Sequence, residues 1–263
     1  ENFLSVSICE NQSLYTVDYL SVSICENQWL ITNATENKMK DIWEEQLKWL
    51  ESGEPFVLAR VIRTWRSAPR KSGAGMLIGK GTAKDSLPKV LGSVSGGCIE
   101  GAVIEEALDV LESEKSRKLS FGVEDDLALS VGLSCGGEVS VLLEKHWAFS
   151  TMPATKKVWN ALQNCIRNNE PAILISRLPT ESGDSTENQA PLLILPEGEN
   201  VGGMQNNLEE ASALAEETYK ERENRIVEIG GEEYFMQIFP RRDQLLIIGA
   251  GHITIPLVRF AKE

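Results

Sequence analysis

The sequence predicts an α/β protein, a mixed α/β N-terminal domain followed by the truncated start of a Rossmann-like domain. Three observations lead there. From Met39 onward, runs of branched residues alternate with apolar residues at helical spacing. Glycine-rich turns stand where strands give way to helices. Near the C-terminus, an apolar run meets Gly249-Ala250-Gly251 ahead of a helical stretch.

Each element follows from local chemistry. Ile42, Trp43, Leu47 and Leu50 predict a helix from Met39, which Gly53 and Pro55 end. Phe56–Arg63 is a strand rich in branched residues. Trp65–Gly75 mixes Ser, Pro and Gly with cations and reads as a loop, and Met76–Ile78 resumes a strand. Val90–Val94 leads into a glycine turn, Ile99–Glu114 is a helix, and Leu119–Val123 and Glu138–Glu144 are strands. Pro153–Asn168 is a helix with Val158, Trp159, Leu162 and Ile166 on one face. Strands follow at Ala172–Arg177 and Leu192–Leu195, with a polar, mobile loop at Pro179–Gln189 between them. Asn206–Arg222 is an acidic helix. Arg225–Ile229 and Glu233–Phe239 flank Gly230-Gly231 as a hairpin, and Leu245–Ile248 is a buried-type strand followed by a helix.

The N-terminus carries a repeat: Leu4–Gln12 and Leu20–Gln28 both read LSVSICENQ. Two copies of so short a unit do not make a solenoid. A recent tandem duplication or a gene-start artefact explains them better than a role for Cys9 and Cys25. The chain opens on Glu1, which leaves its natural start open.

The net charge of −13 argues against a sequence-independent nucleic-acid surface, which needs clustered cations. No apolar run approaches the roughly 20 residues that span a bilayer, and no signal-peptide pattern precedes the first helix. Five cysteines, an odd and sparse set without a C-x-x-C pair, argue against a disulfide framework. With only His146 and His252, a structural zinc site lacks ligands. A cytoplasmic protein fits this composition.

Four motifs could carry chemistry. Gly92–Gly101, GSVSGGCIEG, opens a helix. There Gly96 and Gly97 would let backbone amides approach an anion, Ser93 and Ser95 add hydroxyls, and the helix start favours negative charge. Cys98 stands near the first turn, where a thiolate, a soft metal ligand, is favoured. A tight turn holding an inert cysteine is the alternative. Cys135, Gly136 and Gly137 form a second Cys-Gly-Gly turn, which only folding could bring to the first. The basic loop holds Arg66, Arg70 and Lys71, and arginine forks suit phosphate, although a solvated loop would look the same. Last, Gly249-x-Gly251 with Thr254 resembles a dinucleotide fingerprint, but Glu263 ends the chain inside the following helix. The second strand and ribose-reading acid are missing, so NAD(P) binding is not expected and His252 reads as a loop residue.

Together, Arg63–Met76, Gly92–Gly101, Gly132–Glu144 and Leu245–Glu263 resemble the XdhC/CoxI family, the GSVSGGCIEG stretch most specifically. That resemblance covers the chain from about Asp41 on. It implies an accessory protein, not an enzyme, that binds molybdenum cofactor and promotes its sulfuration and insertion into xanthine dehydrogenase or a related molybdenum hydroxylase. It implies that hydroxylase and a cysteine desulfurase as partners, with a homodimer plausible. On this reading Arg66 and Arg70 meet the cofactor phosphate, Ser93, Ser95, Gly96, Gly97, Gly136 and Gly137 line the site, and Cys98 or Cys135 touches the metal or accepts sulfur. The organisation expected is a repeated leader (1–38), an XdhC/CoxI N-terminal domain (39–149), a middle α/β segment (150–242) and the Rossmann-like start (243–263). The rival readings are a nicotinamide-dependent oxidoreductase using the Gly249 motif and a docking scaffold that holds no cofactor.

Overall fold

The computed structural model describes residues 40–66, 69–81, 87–122, 137–180, 189–195, 199–204, 206–241 and 252–260. Thr35–Pro240 form one compact unit. Its elements run α1 (Lys40–Glu51), β1 (Phe56–Trp65), β2 (Gly75–Gly79), β3 (Lys89–Gly92), α2 (Glu100–Ser113), β4 (Arg117–Phe121), β5 (Glu138–Lys145) and a 3-10 turn at Trp147–Phe149. They continue with α3 (Pro153–Asn168), β6 (Ala172–Arg177), β7 (Leu192–Ile194), β8 (Asn200–Gly202), α4 (Leu208–Glu221), β9 (Arg225–Ile229) and β10 (Glu232–Phe239). The mixed α/β class is as predicted, and every described ladder is antiparallel. Strand β8 is new: three residues ending in Gly202 are too short to show a period in sequence.

The strands form two five-stranded sheets, ordered β3-β2-β1-β5-β4 and β8-β7-β6-β10-β9. The second order is the first with each strand replaced by its counterpart, so the fold repeats. Helices α1 and α3 lead into the two halves, and α2 and α4 cross at the same point of each. Matching ladder to ladder sets Phe56 with Ala172, Leu77 with Leu193, Gly92 with Gly202, Arg117 with Arg225 and Glu144 with Gln237. The buried helix faces agree: Val103, Ala107 and Val110 on α2 have the spacing of Ala211, Ala215 and Thr218 on α4. One salt bridge also corresponds, since Arg117 binds Asp109 on α2 and Arg225 binds its counterpart Glu217 on α4.

The pleat sorts side chains the same way in both halves. Phe56, Leu58 and Leu77 join Ala172, Leu174 and Leu193 in a shared core with α1 and α3. Val57 and Ala59 pack under α2, and Ile173 and Ile175 under α4. Residues 40–149 and 153–239 thus share one core. Counterparts meet within it: the Trp43 and Trp159 rings lie 5.3 Å apart.

Gly92 and Gly202 show why the halves need glycine at one place. Both have positive φ, and a Cβ on Gly92 would come within 2.5 Å of the Gly75 carbonyl, one on Gly202 within 2.0 Å of the Pro191 carbonyl. Each lets the chain turn from an edge strand towards a helix.

A second unit comprises Glu1–Ala34 and Arg241–Glu263. Its described helix, α5 (Thr254–Phe260), follows a turn that exposes His252. The leader repeat with Cys9 and Cys25, the run Leu245–Ile248 and the glycines of the Gly249 motif lie outside the described residues. Among the described residues, no helix is long and apolar enough to cross a membrane.

Candidate functional site

The GSVSGGCIEG turn closes on its own glutamate. The Glu100 carboxylate accepts from the hydroxyls of Ser93 and Ser95, both at 2.6 Å. It also accepts from the amides of Val94 (3.3 Å), Ser95 (2.9 Å), Gly96 (3.1 Å) and Gly97 (2.9 Å). Positive φ at Gly96 and Gly97 turns consecutive amides inward, a concavity suited to an anion. Partial burial pushes the Glu100 carboxyl upward, but the hydrogen bonds from Ser93, Ser95 and the amides outweigh it and hold it at about 2.

The hydroxyls of Ser93 and Ser95 and the amides of Gly96 and Gly97 thus converge on a carboxylate from within the chain. A ligand anion would have to take the place of Glu100 to use Ser93, Ser95, Gly96 and Gly97. Glu100 is the residue that sequence reasoning missed. Its signal was present: two serines and a glycine pair followed by an acid at a helix start, a variant of side-chain capping.

Cys98 leaves this cradle at the edge of α2. Its amide donates to Ser95 Oγ at 3.1 Å, and its half-buried thiol side packs against the core under α2. Gly137 is buried at the entry to β5, while its neighbours Cys135 and Gly136 lie outside the described residues. Cys165, buried in the shared core, has its thiol pushed up by burial and by nearby Glu170.

The basic loop divides between two tasks. Arg70 Nε donates to the Ser93 carbonyl at 3.3 Å, and Pro69 lies against Gly96, so this end braces the glycine turn. Arg66, at φ 57°, stacks its guanidinium 4.1 Å from the ring centre of Trp65, which is 48% exposed. The other end docks on the second half, where Asn224 Nδ2 donates to the Ser72 carbonyl at 3.0 Å and Asn224 Oδ1 accepts from the Ile238 amide at 2.8 Å.

That docking borders a cleft of about 770 Å³ between the halves. Arg63, Lys71, Lys118, Arg222 and Arg225 line it, against the carboxylates of Glu223 and Glu233. No local pattern in the sequence marks it, because its walls come from strands and turns of both halves.

Residues 49–122 match the family model described as the XdhC and CoxI family, a span that includes the basic loop, the glycine turn and α2. The chain is 33% identical over 96 residues to an Escherichia coli protein described as molybdenum cofactor insertion chaperone PaoD, covering 36% of this chain and 28% of that protein. It is 23% identical over 221 residues to a Bacillus subtilis protein described as a probable subunit of xanthine dehydrogenase, covering 81% of this chain and 58% of that one. A crystal structure described as a xanthine dehydrogenase from Bacillus halodurans aligns with a TM-score of 0.57 at 26% identity, over 82% of this chain and 58% of that chain. This chain thus spans well under two thirds of each of these relatives. Residues 49–122, which include the glutamate-filled turn, are similar to the XdhC and CoxI family.

Proposed function

We propose that the chain is an accessory protein that binds molybdenum cofactor as cargo and promotes its sulfuration and insertion into xanthine dehydrogenase or a related molybdenum hydroxylase. The observation that carries this reading is the family match over residues 49–122, the span that presents Cys98 beside the glycine turn. The likeness to a molybdenum cofactor insertion chaperone supports it.

In this account Cys98, with Cys135, meets the metal or accepts sulfur. Arg70 keeps Ser93 and the glycine turn in place, and Arg66 offers its guanidinium edge beside Trp65. Exchange of Glu100 for a ligand anion would open the amides of Gly96 and Gly97. A cysteine desulfurase as sulfur source, the hydroxylase as recipient and self-association belong to the same proposal.

The test is to purify the 263-residue chain from cells with and without cofactor biosynthesis and to assay released pterin and molybdenum. Pterin and molybdenum should accompany the chain only from competent cells, and Cys98→Ala and Cys135→Ala should impair hydroxylase activation. If both variants bind and activate like the parent, the thiol role is wrong. Two relatives carry the name xanthine dehydrogenase, which favours a second reading as a docking scaffold. Co-elution with the hydroxylase without any pterin would favour that one.

A further inference from the structure

We propose that the cleft between the two halves of the fold is a binding site for a phosphate-bearing small molecule. Its volume of about 770 Å³ lies in the range of small-molecule sites. The chain carries a net charge of −13, yet five cations and two carboxylates line this cleft. Two of those cations are spent within the protein. Arg225 donates to Thr218 Oγ1, Glu217 and Glu221, and Lys118 pairs with Glu233 at 2.7 Å. Arg63 on β1, Lys71 on the basic loop and Arg222 after α4 have no ion-pair partner among the described residues. With Glu233 taken by Lys118, Glu223 is the one carboxylate left in the cleft against these three cations, so an excess of positive charge remains that an anion would neutralise. Ser120 on β4 and Ser140 on β5, whose hydroxyls lie 3.1 Å apart, add donors to its lining.

The repeat supplies an internal control. The corresponding cleft on the other side of the fold is smaller, about 280 Å³, and is lined by Glu114, Ser116 and Lys145. Glu114 is the counterpart of Arg222: each ends its crossing helix in the left-handed region, at φ 60° and φ 55°. Ser116 is the counterpart of Asn224, and Lys145 of Ile238. A cation after a helix is favourable in itself, but Glu114 shows that this fold closes the same helix with a carboxylate. Arg222 is therefore not demanded by the turn it occupies. Asn224, which ties Ser72 to the Ile238 amide, also sets the backbone of Lys71 beside Arg222, so the cations are held on braced elements.

This site stands apart from the cargo reading and is probed without the cofactor. The full chain is titrated calorimetrically with inorganic pyrophosphate at low ionic strength, with sulfate as comparator. One saturable site is expected, with pyrophosphate bound more tightly than sulfate. Arg63→Ser should weaken it about tenfold, and Arg222→Glu, a change the counterpart turn already accommodates, at least as much. Lys80→Ser, which removes a cation paired with Glu112 away from the cleft, should leave it unchanged. Thermal melts confirm that each variant folds. Absence of saturable heat overturns the proposal, as does binding unchanged in Arg63→Ser and Arg222→Glu, or an equal loss in Lys80→Ser. Pyrophosphate binding by a chain that never carries pterin would leave the cleft standing and remove only the cargo reading.

Discussion

Arg60 donates from Nη2 to Ser176 Oγ at 2.9 Å, and Ser176 is its own counterpart in the second sheet. The same guanidinium reaches Gln237 at 2.9 Å and Glu144, which are again counterparts of each other. It also lies over the rings of Trp147 and Phe235, at 5.0 and 5.5 Å. One fully buried cation thus joins four strands where the two halves meet. Its removal leaves the half-buried Glu144 carboxylate with only the Trp147 Nε1 donor at 3.0 Å, and Ser176 and Gln237 without the guanidinium. Arg60→Ala should cost about 3–5 kcal/mol of stability by urea denaturation. Adding the same change to a Glu144→Gln background should cost less, because no carboxylate is stranded.

Glu100 should make the turn acid-sensitive. Its folded pKa of about 2 lies below the ordinary 4.5, so its contribution is complete above about 4.5 and is lost as pH falls towards about 2. With allowance for solvent screening, Glu100→Gln should destabilise the protein by about 1–2 kcal/mol at pH 7. The gap between parent and variant should close as pH drops through that window, as followed by thermal melts at stepped pH.

His146 should give a second acid dependence in a different window. It is buried among Phe56, Trp147, Phe149 and Trp159, with Nδ1 accepting from the Ala148 amide at 3.2 Å. Burial first, then the charge of Arg60, holds it down at about 3. The unfolded chain takes up this proton near pH 6.5, whereas the folded one resists it. Stability from neutral His146 is complete above about 6.5 and is lost as pH falls towards about 3. His146→Leu should flatten the stability profile across that interval, whatever its effect at pH 7.

Gly73 and Asn224 should be coupled. Gly73 sits at φ 91°, and a Cβ there would lie 2.3 Å from Asn224 Nδ2. Gly73→Ala should cost about 1–3 kcal/mol through backbone strain and this clash. Asn224→Ala should cost about 1–3 kcal/mol by freeing the Ser72 carbonyl and the Ile238 amide. The double variant should cost less than the sum, since the smaller side chain makes room for the new methyl.

Most elements were legible because their apolar residues keep a clean period, as in Pro153–Asn168, which forms over the predicted span. The repeat was not. Counterparts such as Phe56 and Ala172, or Arg60 and Ser176, share a place in the pleat but not a chemistry, so only strand pairing reveals them. At the site, the glycine turn and its converging donors were legible, since glycines and serines before a helix state that geometry directly. Its occupant was not, because Glu100 also passes for an ordinary first-turn acid. The cleft was the least visible: Arg222 stands far along the chain from Arg63 and Lys71, and the docking of Asn224 on the Ser72 carbonyl sets it beside them.

Purification of the 263-residue chain from cells that make molybdenum cofactor, followed by pterin and molybdenum assay, tests the cargo reading most directly. Pterin and molybdenum should come with the chain in comparable amounts, and neither should come from cells unable to make the cofactor. A chain that emerges free of both from competent cells, yet folded by its thermal melt, would contradict it.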